Sequence, residues 1–414
     1  MSDPAPVSAA ERVEALDVLR GVALFGVFLM NFEGFAGANL MATESQLLSL
    51  PTAGFDFALK SVLDWLVMDK ANTIFAFLFG LGFYLQMTRL EARGADAHSL
   101  YRRRLTVLLI IGVLHMVFLW NWDILHLYAL AGFFLLAFRR MSDRALVIVG
   151  LLLAVFGRTA VKTMLEFSAG TGDTDWYSEA MALERQALSI AGDYWGLVRH
   201  FKDEMIGDYL LSGMLVGWLA YALGRFFIGA WVGRRGFVEH SVRFLPQWRR
   251  VRSVALPAGL VLEGAAVLLA DVDRGMVFPL RELLAWAIHL VAVPVLAAGY
   301  VAAIVMGLQG RAARVLGWFA PAGRMALTNY LSQSLVFGFV LFGVGPGMSL
   351  AGKTGAMAVF GIVLVVYAVQ VLFSRWWLGR FAYGPMEWLW RALTYGYSPP
   401  MLLKSISGAT HEKI

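Results

Sequence analysis

The chain has 414 residues, of which 59% are apolar and 15% charged, with a formal net charge of +6. That balance excludes an ordinary soluble globule and leaves a polytopic membrane protein. The absence of cysteine excludes disulfides, thiolate metal sites and cysteine nucleophiles, and the seven histidines show no metal-ligand spacing such as HExxH.

Residues 1–16 contain Asp3, Glu11 and Glu14 but no cleavage pattern, so the first apolar span is expected to be retained. That span runs from Asp17 to Phe35. Asp17, Arg20, Leu24, Phe28 and Asn31 recur at spacings of three or four and form one helical stripe. A second apolar segment, Leu59–Leu85, begins amphipathically with Asp64, Asp69 and Lys70. These are site residues if the segment is re-entrant and otherwise a solvated face. It ends in FAFLFGLGFYL, where Gly80 and Gly82 permit close helix packing. A basic loop follows, Arg89–Arg104, closing on the triplet Arg102, Arg103 and Arg104.

The next stretch, IIGVLHMVFLWNWDILHLYAL, predicts two antiparallel helices joined by a tight turn at Asn121-Trp122-Asp123. At about 1.5 Å per residue, His115 lies roughly 9 Å below that turn. His126 lies on the returning helix, so both imidazoles and the Asp123 carboxylate can converge on one pocket. Ionisable groups inside a membrane span are costly and mark a functional site by default. An imidazole oriented by a carboxylate is the arrangement of a general base. The competing structural reading makes His115 an interhelical hydrogen bonder and Asp123 a helix cap.

Further spans are expected at Ala145–Val161, Leu210–Trp231, Val254–Leu269, Leu283–Val305, Met325–Phe342 and Thr354–Phe373. An acidic segment, Lys162–Tyr209, separates two of them, and an aromatic, basic, interfacial tail covers 376–414. The expected fold is therefore one all-α domain, 1–414, of about ten transmembrane helices. With ten spans every arginine cluster falls on one side, which predicts cytoplasmic termini and places Arg20 on the inner side. The basic residues thus read as topology signals and not as nucleic-acid contacts.

Two other constellations have a chemical reading beside a structural one. Asp17 and Arg20 form an i,i+3 pair, either a phosphate or carboxylate grip or a salt bridge. Arg324, Thr328, Asn329, Tyr330, Ser332 and Gln333 form a polar band, either a cavity lining or helix glue. Glu387 and Arg391 are an i,i+4 pair on a helix that also presents Trp388 and Trp390, which an interfacial anchor explains fully, and His289, alone on an apolar helix, has a modest claim.

RVEALDVLRGVALFGVFLMN, FAFLFGLGF, GVLHMVFLWNWDILHLYAL, GRMALTNYLSQS at 323–334 and GPMEWLWRALTY at 384–395 occur in order along the chain. In these motifs the chain resembles the YeiB family (domain of unknown function 418), bacterial multi-span inner-membrane proteins. That family is grouped with transmembrane acyltransferases of cell-surface glycans and with heparan-glucosaminide acetyltransferases, a wider resemblance resting on LDVLRG. The resemblance implies an acyl-CoA bound from the cytoplasmic side and a histidine that activates an acceptor. In many glycan acyltransferases arginine is followed, after ten residues, by histidine; here those positions hold Arg20 and Asn31. Asparagine is no general base near pH 7, so the role passes to His115 or His126.

The expected function is a transmembrane acyltransferase, moving an acyl group from cytoplasmic acyl-CoA to a glycan, lipid-linked sugar or small acceptor. His115 would act as base with Asp123 and His126. Asp17, Arg20, Asn31, Asn121, Arg324, Asn329 and Gln333 would bind substrate, Arg102–Arg104 would meet the CoA phosphates, and no metal is expected. The alternative is a proton-coupled transporter or flippase-like carrier of a lipid or small amphiphile, with the same His and Asp as a proton relay. A third reading is an accessory protein that binds a partner through residues 162–209. Membrane lipids are the common partner of all three.

Overall fold

The computed structural model describes residues 13–36, 41–159, 178–211, 213–271, 279–341, 343 and 347–403. Among these the secondary structure is helical with no strand, and an isolated β-bridge joins Phe381 to Leu402. In chain order the helices are α1 Glu14–Ala36, α2 Glu44–Leu48, α3 Ala53–Leu66, α4 Lys70–Ala92, α5 Ala97–Phe118, α6 Leu125–Ala137 and α7 Asp143–Leu152. They continue as α8 Glu179–Ala191, α9 Tyr194–Glu204, α10 Met214–Arg234, α11 Leu245–Asp271 and α12 Pro279–Gly307. The last five are α13 Ala313–Leu316, α14 Ala320–Arg324, α15 Ala326–Val340, α16 Ala356–Leu378 and α17 Pro385–Tyr395.

Six helical runs among the described residues are long and apolar enough to cross a membrane: 14–34, 53–92, 214–234, 241–270, 280–307 and 356–378. The chain is thus a polytopic helical membrane protein, but length and apolarity do not select ten spans. The four other expected spans fall on α5, α6, α7 and α15. α5 has 22 residues but carries Arg102, Arg103 and Arg104 in its second turn. α6 has 13 residues and α15 has 15, which at ~1.5 Å per residue is short of a ~30 Å hydrocarbon layer. α7 has 10 residues and runs on as a π-turn over Leu153–Gly157.

The expected continuous segment Leu59–Leu85 is two helices. The chain breaks at 67–69, where Asp69 takes a left-handed conformation with φ 60°. The acidic segment Lys162–Tyr209 falls partly outside the described residues, with Glu166, Asp173 and Asp175 among those not described. Its remainder is helical and forms α8 and α9, joined by an Arg185–Glu204 ion pair.

Lipid, not protein, is the solvent of the outer faces. On α11, Val254, Val261 and Leu268 are 62%, 71% and 70% exposed, and their spacing of seven sets them on one stripe. Inside the bundle, backbones approach closely where glycine allows it. A Cβ on Gly80 would collide with the Phe226 backbone of α10, and one on Gly112 with the His126 backbone of α6. Gly112 is therefore what lets α5 and α6 close as the predicted hairpin. Gly112→Leu should force that hairpin apart at a cost of about 1–3 kcal/mol, the usual penalty of overpacking. Thermal unfolding in detergent measures it, and an unchanged midpoint would deny the close approach its role.

Candidate functional site

The hairpin brings its three ionisable groups together as predicted. α5 ends at Phe118 and α6 starts at Leu125, so the turn sets Asp123 against the first turn of α6. Asp123 Oδ2 accepts the His126 backbone N–H at 2.8 Å and faces His126 Nδ1 at 3.0 Å. Its Oδ1 faces His115 Nδ1 at 2.8 Å and accepts the Tyr330 hydroxyl at 3.4 Å. His115 Nε2 meets Ser334 Oγ at 2.8 Å, and His126 Nε2 meets the Tyr209 hydroxyl at 2.9 Å. Asp123, His115, His126, Tyr330 and Ser334 are all buried.

One protonation pattern satisfies every partner. An ionised Asp123 is acceptor only, so each imidazole carries its proton on Nδ1 and offers the Nε2 lone pair. Ser334 then donates to His115, and Tyr209 donates to His126. The positive end of α6 also favours the carboxylate. Asp123 is thus both the helix cap and the group that sets both tautomers.

Two adjoining cavities approach this cluster from the end of the bundle that carries the arginines. The first, about 220 Å³, is lined by Asp17, Arg20, Arg89, Arg93, Arg104, Arg324, Glu387 and Arg391 among others. The second, about 260 Å³, shares Arg20, Arg104, Arg324, Glu387 and Arg391 and continues inward past Phe75, Phe79 and Leu108 to Ile124, Leu125 and Tyr330. Its inner wall is therefore the Tyr330 side chain, whose ring centroid lies 5.3 Å from that of His115. A third cavity, about 230 Å³, lies on the other side of the cluster and is lined by Trp120, Tyr194, Phe201, Ser334, Gly338 and neighbours.

The remaining sequence candidates divide sharply. Asp17 and Arg20 pair at 3.4 Å at the basic mouth. Arg104 lines both basic cavities, with its guanidinium 3.6 Å from the Trp390 ring centre. Arg102 and Arg103 are exposed and line neither. Arg324 lines both. Asn329 instead donates to Ala322 O and Ser374 Oγ, and Gln333 donates to Gln370, whose amide returns to Asn329 O and Ser332. This part of the polar band joins α15 to α16. Asn31 is half-buried and lines none of the three cavities. Asn121 is half-buried in the turn, with a buried Oδ1 that has no hydrogen-bond partner.

Glu387 accepts from Leu327 N–H, Thr328 N–H and the Thr328 hydroxyl at 2.7, 3.1 and 2.6 Å. It supplies the N-terminal cap that α15 needs after the α14–α15 break. Burial pushes its carboxyl up from the ordinary carboxylate range, against the pull of those donors.

Ser334 and Tyr209 were not among the sequence candidates. They approach the histidines across 219 and 83 residues, and a serine or tyrosine in an apolar helix carries no signal of such a partner. A second buried cluster was also missed in part. Lys70 Nζ lies 2.5 Å from Glu263 Oε1, which also meets His289 Nδ1 at 2.9 Å, while His289 Nε2 meets Asp69 Oδ2 at 3.1 Å. Asp64 pairs with Lys60 at 2.9 Å, whereas Lys70 is buried, against the solvated-face reading. Glu263, a lone acid within VLEGAAVLLA, is the kind of residue that the cost of intramembrane charge should have flagged.

The family model described as "Protein of unknown function (DUF418)" matches residues 232–397. The "Uncharacterized protein YxaH" of Bacillus subtilis (strain 168) is 31% identical over 98% of this chain and 100% of its own. The "Uncharacterized protein YeiB" of Escherichia coli (strain K12) is 29% identical, covering 95% of this chain and 99% of its own. An "Uncharacterized 39.9 kDa protein in amylase 3'region" of Bacillus acidopullulyticus is 28% identical over 96% and 98%. No solved structure matches the chain.

The second cluster makes a direct prediction about stability. Lys70→Met removes the ammonium and leaves His289 as the remaining partner of the buried Glu263 carboxylate, which should cost about 3 kcal/mol. Lys70→Met with Glu263→Leu removes both charges and should recover most of that loss. Unfolding midpoints of the two variants decide it, and equal losses would mean that the pair is not the coupled unit.

Proposed function

The chain belongs to the DUF418 family, and from the geometry of this member we propose a transmembrane acyltransferase. The observation that carries the reading is the His115–Asp123 pair, buried between a basic cavity on one side and a separate cavity on the other. The donor is an acyl-CoA. Arg20, Arg104, Arg324 and Arg391 at the mouth suit its phosphates, since guanidinium forks pair with phosphate oxygens. Phe75, Phe79 and Leu108 further in suit the pantetheine and acyl chain. The acceptor, a glycan, lipid-linked sugar or small hydroxyl compound, enters through the cavity lined by Trp120, Tyr194 and Phe201. His115, held in its Nδ1–H tautomer by Asp123, removes the proton of the attacking hydroxyl through Nε2. His126 and Tyr209 extend the hydrogen-bond chain away from the reacting centre.

The protein sits in the bacterial plasma membrane with its arginine-rich end in the cytoplasm, a reading supported by the positive-inside bias. Acyl-CoA then reaches the basic mouth from the compartment that contains it. One observation favours a second reading, a proton-coupled carrier. The chain Ser334–His115–Asp123–His126–Tyr209 is continuous, with contacts of 2.8–3.0 Å, as a proton relay requires.

Membranes containing the protein, supplied with radiolabelled acyl-CoA, separate the two. The acyltransferase should yield a labelled acylated glycan or lipid, and His115→Ala should lower that yield by about a hundred-fold or more. No labelled product from the unaltered protein, or equal yield from His115→Ala, would count against the enzyme. Substrate uptake driven by a pH gradient without any thioester would favour the carrier.

A further inference from the structure

Resting on the acyltransferase reading, we propose that Ser334 is the nucleophile and that the acyl group passes through a Ser334 ester. Ser334 Oγ, His115 Nε2, His115 Nδ1 and Asp123 Oδ1 form an unbroken hydroxyl–imidazole–carboxylate series with both contacts at 2.8 Å. Such a constellation is recognised by geometry and roles, not by order in the chain. Its members come from α15, α5 and the α5–α6 turn.

Helical serines and threonines ordinarily turn back on their own helix. Thr106, Ser61 and Thr394 do so here, each donating to the carbonyl four residues earlier. Ser334 instead reaches across to the imidazole. The protonation pattern set by Asp123 leaves Nε2 as an acceptor, so the Ser334 hydroxyl points its proton at the base, the geometry that activates a serine.

The cavities explain why an intermediate is needed. Ser334 lines the cavity opposite the arginines, and Tyr330, one turn earlier on α15, walls off the basic cavity. α15 thus lines both spaces, with Tyr330 on the donor cavity and Ser334 on the acceptor cavity. The contact from Tyr330 to Asp123 is the longest in the cluster, 3.4 Å, and the proposed step requires that ring to turn aside and admit the thioester carbonyl.

In the first half-reaction Ser334 Oγ attacks the thioester carbonyl carbon while His115 Nε2 takes the hydroxyl proton. The C–S bond breaks, the imidazolium returns the proton to sulfur, and CoA leaves as the free thiol. In the second, an acceptor hydroxyl from the opposite cavity gives its proton to His115 Nε2 and attacks the ester carbon. The bond to Ser334 Oγ breaks and Oγ takes the proton back. The sum is acyl thioester plus alcohol giving thiol plus ester, with no redox change.

The test uses the purified full-length protein with acetyl-CoA and octanoyl-CoA, without acceptor, analysed by thiol release and by mass spectrometry of the quenched chain. The expected result is an acyl adduct on the peptide containing Ser334, accompanied by a burst of thiol stoichiometric with protein. Ser334→Ala should abolish both, and Ser334→Cys should restore an adduct as a thioester, which separates loss of the nucleophile from loss of the fold. His115→Ala should slow the burst by about a hundred-fold or more. Membranes that acylate an acceptor with Ser334→Ala as fast as with serine, and with no adduct, would overturn the ester and leave a direct transfer in place. Failure of the unaltered protein to transfer acyl groups in membranes and to form an adduct would overturn both.

Discussion

A single carboxylate, Asp123, is the constraint on which the centre of this molecule depends. Burying it costs several kcal/mol before compensation. Four donors surround it: two imidazole N–H groups, the His126 backbone N–H and the Tyr330 hydroxyl. Those donors come from α5, α6 and α15, so satisfying the charge fixes how the three helices meet. The same contacts set both histidine tautomers and leave each Nε2 free to accept a proton. Stability and the proposed chemistry share one set of hydrogen bonds.

The bundle repeats that logic elsewhere. Lys70, Glu263, His289 and Asp69 lock α11 and α12 against the break between α3 and α4. Gln333, Gln370, Asn329 and Ser374 join α15 to α16. In a medium that offers no water, each polar side chain must find its partner inside the protein. Polar groups that have found a helix partner serve packing; those that also border a cavity, as Ser334 does, remain open to chemistry.

The hairpin and its three ionisable groups were legible in the sequence because intramembrane charge is rare and periodicity sets helical faces. Gly80 was legible as a packing glycine for the same kind of reason. The partners were not. Ser334, Tyr209 and Glu263 gain their meaning from residues far along the chain, and only tertiary packing supplies those distances. Composition also left the triplet Arg102–Arg104 undivided, whereas helical phase turns Arg104 inward and leaves its two neighbours exposed. The count of about ten spans is not confirmed by length and apolarity, because α6 and α15 are short and α5 carries an arginine triplet. The break at Asp69 rests on a left-handed backbone at a non-glycine residue, which no local pattern announced.

The proposed acyl transfer requires the arginine-lined cavity to receive an acyl thioester next to a buried base. Thermal unfolding of the purified protein against CoA, acetyl-CoA and longer acyl-CoAs, with Arg20→Ala in parallel, tests it most directly. A ligand at about a hundred times its dissociation constant adds about 2.7 kcal/mol of apparent stability. The expected result is an upward shift that is larger for acyl-CoA than for CoA and is lost in Arg20→Ala. An unfolding midpoint unmoved by any CoA species would contradict it.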